Sequence, residues 1–182
     1  ILRSGMRVVD LGCAPGSWLQ VASEIVGPKG LVIGIDLQDV RPGLAANVRT
    51  IAGDIFTTDA AALLPEPDAK FNAVISDMAP STSGHGDDAL SVRLCRRVLE
   101  LLPSLLAPGG ACVMKVLEGG GYPDLLRDCQ RLFAKAKGLK PKASRDLSRE
   151  IFIVAEGYRP VTAAKPTSVA KAAPKPGPGW GS

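Results

Sequence analysis

The sequence predicts a doubly wound α/β fold, in which helices cover both faces of a largely parallel sheet. Short apolar runs bounded by Gly, Asp and Pro alternate with longer stretches of helical character. The first five runs are almost continuously apolar, which is typical of strands that are buried on both faces. Strands and helices that alternate in this way form parallel sheets joined by right-handed crossovers.

Six strands and four helices are predicted along the chain. The strands lie at 7–11, 31–36, 48–52, 72–76, 111–116 and 150–155. The helices lie at 17–26, about 57–64, 88–107 and 122–137. In the third helix, apolar side chains recur on one face at Leu94, Val98, Leu101, Leu102 and Leu105. Pro108 and the two glycines that follow predict where this helix stops.

Length and composition favour one globular domain followed by a tail. With 182 residues, of which 46% are hydrophobic and 22% charged, the chain can bury a complete core. The net charge of +4 is concentrated in the last segment, because four basic and no acidic residues lie between Arg159 and Ser182. We expect a domain at 1–158, truncated at its N-terminus because the chain begins at Ile1, and a disordered basic tail at 159–182.

Membrane, secretory and metal-binding classes are not favoured. No apolar run approaches the ~20 residues that span a bilayer, and no signal-peptide pattern opens the chain. The four cysteines, at 13, 95, 112 and 129, form no CxxC pair, and His85 is the single histidine. We expect buried free thiols in a reducing cytoplasm and no metal site.

The first predicted strand runs into a glycine-rich turn, VVDLGCAPGSW, at 8–18. Gly12 and Gly16 permit positive φ and close approach of a ligand, and the helix that follows presents free N–H groups. The glycines are spaced four apart and Pro15 occupies the turn, so the pattern is not GxGxxG. This spacing disfavours binding of a nicotinamide dinucleotide. The turn then serves either tight packing of the chain or the binding of another ligand.

Charged residues follow or occupy the later strands. In doubly wound sheets, ligands bind beyond the carboxyl ends of the strands, at the switch point in strand order. Asp10, Asp36 and Asp54 stand at the ends of the first three strands, and Asp77 follows the fourth. An acid after the second strand can accept hydrogen bonds from a ribose diol. Lys115, within an apolar strand, is costly to bury unless it is paired, and Asp77 and Glu150 are candidate partners.

Five blocks, VVDLGCAPGSW, GDIF, SDMAPSTSG, APGGACVMKV and SREIFIVAEG, resemble in order and spacing those of the FtsJ/RrmJ family. This family comprises S-adenosylmethionine-dependent ribose 2′-O-methyltransferases of ribosomal RNA. The resemblance covers residues 1 to about 158. It implies a Rossmann-like methyltransferase sheet that is mostly parallel with an antiparallel last strand.

The resemblance also implies roles for individual residues. Gly16 and Trp18 match the loop that binds S-adenosylmethionine, Asp36 the residue that binds its ribose diol, and Asp54 the residue near its adenine. Asp77 matches a residue of both the cofactor site and catalysis, Lys115 the proton acceptor, and Glu150 its acidic partner. Of the family's Lys-Asp-Lys-Glu tetrad, the first lysine has no counterpart.

The implied function is methylation of a ribose 2′-OH, at a uridine of large-subunit (23S) ribosomal RNA, by a cytoplasmic monomer. Methylation of tRNA or of an mRNA cap is an alternative. A catalytically impaired RNA module that binds the cofactor is another, because one tetrad member is missing. Lys115 acts either as a base through its minor neutral form or, while charged, as a stabiliser of developing alkoxide.

A basic stretch predicts contact with RNA phosphates. Eight basic residues lie between 127 and 149, opposed by only two aspartates. Three of them, Arg127, Arg131 and Lys135, are spaced four apart and should share a helix face. A solvated helix face is the alternative reading. The glycine-containing stretch at 80–89 is predicted to be a flexible loop at the active rim, with His85 in solvent.

Overall fold

A computed structural model describes residues 1–80, 86–140 and 149–160, and their strands form one seven-stranded sheet. The strands are β1 (Arg7–Leu11), β2 (Leu31–Asp36), β3 (Val48–Ala52), β4 (Phe71–Ser76), β5 (Leu106–Leu117), β6 (Phe133–Leu139) and β7 (Glu150–Tyr158). The helices are α1 (Ser17–Val26), α2 (Ala60–Leu63), α3 (Asp87–Leu105) and α4 (Tyr122–Leu132). The predicted tail and His85 lie outside the described residues, apart from Arg159 and Pro160 at the start of the tail.

The strand order is β3-β2-β1-β4-β5-β7-β6. Strands β1 to β5 pair in parallel, and β7 pairs antiparallel with both β5 and β6. The prediction of a mostly parallel sheet with an antiparallel last strand is therefore confirmed. Because β1 lies between β2 and β4, the strand order reverses there, and a doubly wound sheet opens its ligand crevice at such a point.

Helices cover both faces of the sheet, as predicted. On one face, α1 buries Leu19, Ala22 and Val26, whose spacing places them on one side of the helix, against Val8 and Val32 of the strands. On the other face, α2, α3 and α4 cover a larger cluster that includes Phe71, Met114 and Phe133. Complete burial of one such apolar side chain contributes roughly 1.5–3 kcal/mol, so the two layers fix the sheet between them.

The prediction of one helix over 122–137 is wrong beyond Leu132. Residues Phe133–Leu139 form β6, which pairs antiparallel with β7. Alanine and lysine favour helices locally, but the open edge of β7 offers backbone hydrogen bonds that a short helical extension does not match. Phe133 is fully buried against Tyr158, with ring centroids 5.3 Å apart, and this contact holds the new strand on the sheet.

Several element boundaries also differ from the prediction. Helix α3 ends at Leu105, and β5 begins at Leu106 rather than at residue 111. The segment with Pro108 and Gly109 lies inside β5, where the register against β4 shifts between Phe71 and Ala73. This irregular pairing accommodates Pro108, because a proline has no backbone N–H to donate to a neighbouring strand. Helix α2 is shorter than predicted, at Ala60–Leu63.

The four cysteines are free and buried. Burial raises the pKa of the Cys95 and Cys129 thiols to about 12, so both remain protonated at neutral pH. Within the described part of the chain, no group of three His, Cys, Asp or Glu side chains could hold a metal ion. Over the same residues, no helix has both the length and the apolar character that crossing a bilayer requires.

Candidate active site

A pocket of about 800 Å³ opens at the carboxyl ends of β1 to β4. The turns after these four strands and the first part of α3 form its walls. Three of the predicted site residues, Asp36, Asp54 and Asp77, line it together with Gly12. The pocket therefore lies at the point in the strand order where ligands of doubly wound sheets bind.

The glycine-rich turn is packed tightly against the turn after β4. Gly12 has φ 83°, and a Cβ at this position would overlap the side chain of Met78. The N–H groups of Gly12 and Cys13 donate to the carbonyl oxygen of Ile35, at 2.8 and 3.2 Å. Only glycine combines this backbone conformation with this close approach, so residue 12 shapes the pocket wall.

Asp36 ties the end of β2 to the glycine-rich turn. Its Oδ2 accepts a hydrogen bond of 2.9 Å from the N–H of Ala14, and its Oδ1 accepts one of the same length from the N–H of Gln38. The carboxylate thus has a structural role that the sequence alone did not indicate. A carboxylate offers about four lone-pair sites, so both oxygens can also accept from ligand hydroxyls.

Asp54 begins a turn that is held rigid by the backbone and by α3. Its Oδ1 accepts from the N–H of Phe56 at 2.9 Å, and Arg97 Nε donates to the carbonyl of Ile55 at 2.9 Å. The guanidinium of Arg93 lies over the Phe56 ring, 5.1 Å from its centroid, and both residues line the pocket. Sequence analysis missed Phe56 and Arg93, because only the folded chain brings this loop and helix together.

Asp77, Lys115 and Glu150 meet at the ends of β4, β5 and β7. Lys115 Nζ lies 2.9 Å from Asp77 Oδ1 and 3.6 Å from Glu150 Oε1. The lysine side chain is only 12% exposed, whereas those of Asp77 and Glu150 are 34% and 43% exposed. Asp77 also lines the pocket, so it can contact both Lys115 and a bound ligand.

Asp10 is a fully buried acid of β1, two residues before Gly12 of the pocket wall. Within the described residues, neither of its side-chain oxygens has a hydrogen-bond partner. Burial, followed by the charges of Asp77 and Asp36, raises its pKa from 3.8 to about 8. The signal in the sequence was an aspartate within an apolar strand, but its lack of a partner became visible only in the structure.

Gly16 and Trp18, which the resemblance assigns to cofactor binding, are not among the residues that line the pocket. Gly16 is the N-cap of α1, with φ 112°. Trp18 stacks on Phe152 of β7, with centroids 5.6 Å apart, and lines a smaller apolar pocket with Ile1 and Val113. In this structure, Trp18 therefore packs the α1 face of the sheet.

The basic stretch is divided between two regions, and the prediction that Arg127, Arg131 and Lys135 share a helix face is wrong for Lys135, which lies on β6. On α4, Arg127 pairs with Asp124 and Arg131 with Asp128, so the charge of this helix is largely compensated. Lys140 and Arg149 instead contact Glu118 at the end of β5, beside Glu150. Lys142 and Arg145 lie outside the described residues.

Sequence comparison relates the chain to enzymes that methylate ribosomal RNA. A family model described as FtsJ-like methyltransferase matches residues 1–158. The chain is 45% identical over 156 residues to "Ribosomal RNA large subunit methyltransferase E" of Syntrophobacter fumaroxidans, covering 85% of this chain and 79% of that protein. It is 41% identical over 165 residues to the protein of the same name from Methanocaldococcus jannaschii, covering 87% of this chain and 67% of that protein.

Structural comparison gives the same relationship. The chain superimposes on the crystal structure of a ribosomal RNA methyltransferase from Plasmodium falciparum with a TM-score of 0.75 and 26% sequence identity. The superposition covers 87% of this chain and 89% of that structure.

Proposed function

The chain belongs to the FtsJ-like methyltransferase family, and from this premise we propose that it methylates a ribose 2′-OH of ribosomal RNA, at a uridine of the large subunit. S-adenosylmethionine supplies the methyl group from its sulfonium sulfur, and transfer to a hydroxyl oxygen leaves a neutral thioether and releases the hydroxyl proton to water. The observation that carries the proposal is the contact of Lys115 Nζ with both Asp77 and Glu150, beside a pocket rich in carboxylates.

The pocket residues fit S-adenosylmethionine. Asp36 and Asp54 present acceptor oxygens from two successive strand ends, as the hydroxyl and amino donors of a nucleoside require. We assign the ribose diol to Asp36 and the adenine end to Asp54. The methionine end belongs beside the glycine-rich turn, where the carboxylate of Asp77 gives the wall a negative character that suits a cation.

Lys115 is proposed to act on the ribose hydroxyl as an ammonium. Carboxylates at 2.9 and 3.6 Å stabilise the charged amine, so its positive charge is available where the oxygen develops negative charge. Asp77 and Glu150 also hold the long side chain in one direction, which lowers the entropic cost of orienting the substrate. The chain thus contributes mainly orientation and electrostatic stabilisation.

The RNA is proposed to approach along the side of the site where β5 ends and β7 begins. Lys140 and Arg149 lie there, next to Glu150, and can contact phosphates. The names of the relatives, which specify the ribosomal large subunit, favour ribosomal RNA over tRNA or an mRNA cap. A monomeric cytoplasmic enzyme remains a prediction from the sequence.

Transfer of a tritiated methyl group from S-adenosylmethionine tests this function. The chain is incubated with large ribosomal subunits from a strain that lacks this modification, and in parallel with unmodified tRNA. We expect label in the 23S RNA alone, and alkaline hydrolysis should leave the labelled nucleotide in a resistant dinucleotide, because a 2′-O-methyl group blocks cleavage.

Fully modified subunits are the matched control, because they offer the same surface without a free hydroxyl at the target. Label in tRNA but not in the subunits would assign the activity to a different RNA. Binding of S-adenosylmethionine without transfer to either RNA would support the alternative of an RNA module that binds the cofactor.

A further inference from the structure

Asp10 is a buried acid whose surroundings disfavour its negatively charged form. The residue lies in β1 between Gly34 of β2 and Ile75 of β4, and its side chain is inaccessible to solvent. Neither carboxyl oxygen has a hydrogen-bond partner among the described residues. A carboxylate buried in this way carries a large desolvation cost, which the group avoids by holding a proton.

The charged neighbours of Asp10 increase this cost. Asp36 at the end of β2 and Asp77 after β4 both raise its pKa, to about 8, in addition to the larger effect of burial. Cys13, in the turn after β1, is a thiol with a pKa raised to about 12, so it brings no charge near neutral pH. The cation Lys115 lies 2.9 Å from Asp77 and therefore compensates the charge of Asp77.

The two aspartates that act on Asp10 also line the pocket. We propose that Asp10 holds a proton while no cation occupies this pocket and releases it to solvent when the cationic methyl donor binds. This inference rests on the proposed function, because it takes S-adenosylmethionine as the ligand. In the bound state, the negative charge of Asp10 is balanced by the net positive charge of the donor.

The charges balance at each step of one turnover. Binding converts a neutral carboxylic acid and a cation into a carboxylate, the bound cation and one proton in solvent. Methyl transfer then leaves an uncharged thioether sulfur in the product. When the product departs, Asp10 takes a proton back from solvent, and the empty site is again without this negative charge.

The expected size of the effect follows from the ionisation of Asp10. An acid with a pKa of about 8 is roughly nine-tenths protonated at pH 7, so donor binding can release up to about 0.9 proton. Between pH 6 and 7, the dissociation constant for the donor should fall by up to about tenfold as the pH rises by one unit.

Isothermal titration calorimetry of the 182-residue chain with S-adenosylmethionine measures this release. Titrations at pH 7.0 in phosphate and in Tris, whose ionisation enthalpies differ, give the number of protons exchanged. We expect the wild-type chain to release more than half a proton and Asp10→Asn to release almost none. Asp54→Asn is the matched control: it should bind the donor more weakly and release as many protons as the wild type.

The outcomes separate this inference from the proposed function. Failure of the wild-type chain to bind S-adenosylmethionine would count against the function itself. Binding without proton release, or with equal release by Asp10→Asn, would overturn the role of Asp10 and leave the function intact. If Asp10→Asn does not fold, the wild-type dissociation constant between pH 6.0 and 7.5 decides, because an affinity independent of pH also overturns the inference.

Discussion

Lys115 Nζ lies 2.9 Å from Asp77 Oδ1, although the two residues belong to different strands. The lysine follows Met114, which pairs with Ser76, so adjacent parallel strands bring Lys115 and Asp77 to the same end of the sheet. Glu150 reaches the amine from the antiparallel strand β7. The ion pairs thus join the parallel and antiparallel parts of the sheet at one edge of the pocket.

Replacing Lys115 by Met should abolish transfer while sparing donor binding. The amine does not line the pocket that is assigned to the donor, but it is placed to act on the ribose oxygen. We expect the single-turnover rate to fall by about 10²–10⁴-fold, the range for loss of one catalytic group. Calorimetry should give a donor dissociation constant within about threefold of wild type.

Lys70→Met is the matched control for this substitution. Lys70 contacts the carbonyl of Pro103 at the opposite end of β4, so its loss removes a lysine without touching the pocket. The control should retain both transfer and donor binding. Parallel loss of donor affinity and transfer in Lys115→Met would instead assign Lys115 to the architecture of the site.

The two acids that hold Lys115 should differ in effect. Asp77 lines the pocket and Glu150 does not, so Asp77→Asn should weaken donor binding and transfer, whereas Glu150→Gln should lower only transfer. We expect about a tenfold lower rate for Glu150→Gln, because one of two carboxylates still orients the amine. The double variant Glu150→Gln/Lys115→Met should be no slower than Lys115→Met, since both changes act through one amine. If the losses of rate from the two substitutions were fully additive in free energy, Glu150 would act independently of Lys115.

Gly12→Ala should destabilise the fold and close the pocket wall. The substitution strains a residue with φ 83° and places a methyl group against Met78. We expect a loss of about 1–3 kcal/mol in unfolding free energy from urea titration, together with weaker donor binding. Gly5→Ala is the control, because Gly5 has φ 80° but open space around it. Equal effects of the two substitutions would leave no role for the contact with Met78.

Asp10 should make the stability of the ligand-free chain depend on pH. Burial raises its pKa from 3.8 to about 8, so between these values the folded chain holds a proton that the unfolded chain has lost. This contribution to stability is complete below about pH 4 and is lost as the pH rises to about 8. Unfolding free energy should therefore fall by up to about 1.4 kcal/mol per pH unit in that window.

Urea titrations at pH 5.5, 6.5 and 7.5 measure this dependence. Asp10→Asn preserves the shape of the side chain and cannot ionise, so the difference between wild type and variant isolates Asp10 from every other titrating group. The variant should gain stability relative to wild type as the pH rises. A constant difference across the three pH values would contradict the raised pKa.

Lys140 should contribute to RNA binding more than Arg127 does. Both side chains are ion-paired, Lys140 with Glu118 and Arg127 with Asp124, but Lys140 lies at the rim beside the end of β5, whereas Arg127 lies on α4. We expect Lys140→Ala to lower the slope of log affinity against log salt by about one, as for loss of one phosphate contact. Arg127→Ala should leave the slope unchanged. Filter binding of a 23S RNA fragment at several salt concentrations provides the measurement. A lower slope for Arg127→Ala and an unchanged slope for Lys140→Ala would instead place the RNA along α4.

The sequence alone was enough to predict that the parallel strands exist and that charged residues lie near their ends. The bounds of β1, β2 and β3 agree with the prediction, because near-continuous apolar runs between turn residues leave little choice of structure. It was not sufficient to predict β6, because the residues of this segment locally prefer a helix. Sheet-edge hydrogen bonds decide such a segment, and they depend on β7, which follows it in the chain.

For the site, alternation of strands and turns already implied that Asp36, Asp54 and Asp77 would gather at one edge of the sheet, because parallel strands end on the same side. Folding alone decided what each acid does there. Asp36 accepts a hydrogen bond from Ala14 in the turn, Trp18 packs against Phe152, and Asp10 has no hydrogen-bond partner among the residues that the structure describes. These differences arise from solvent exclusion and from contacts between distant segments, which exist only once the helices have covered the sheet.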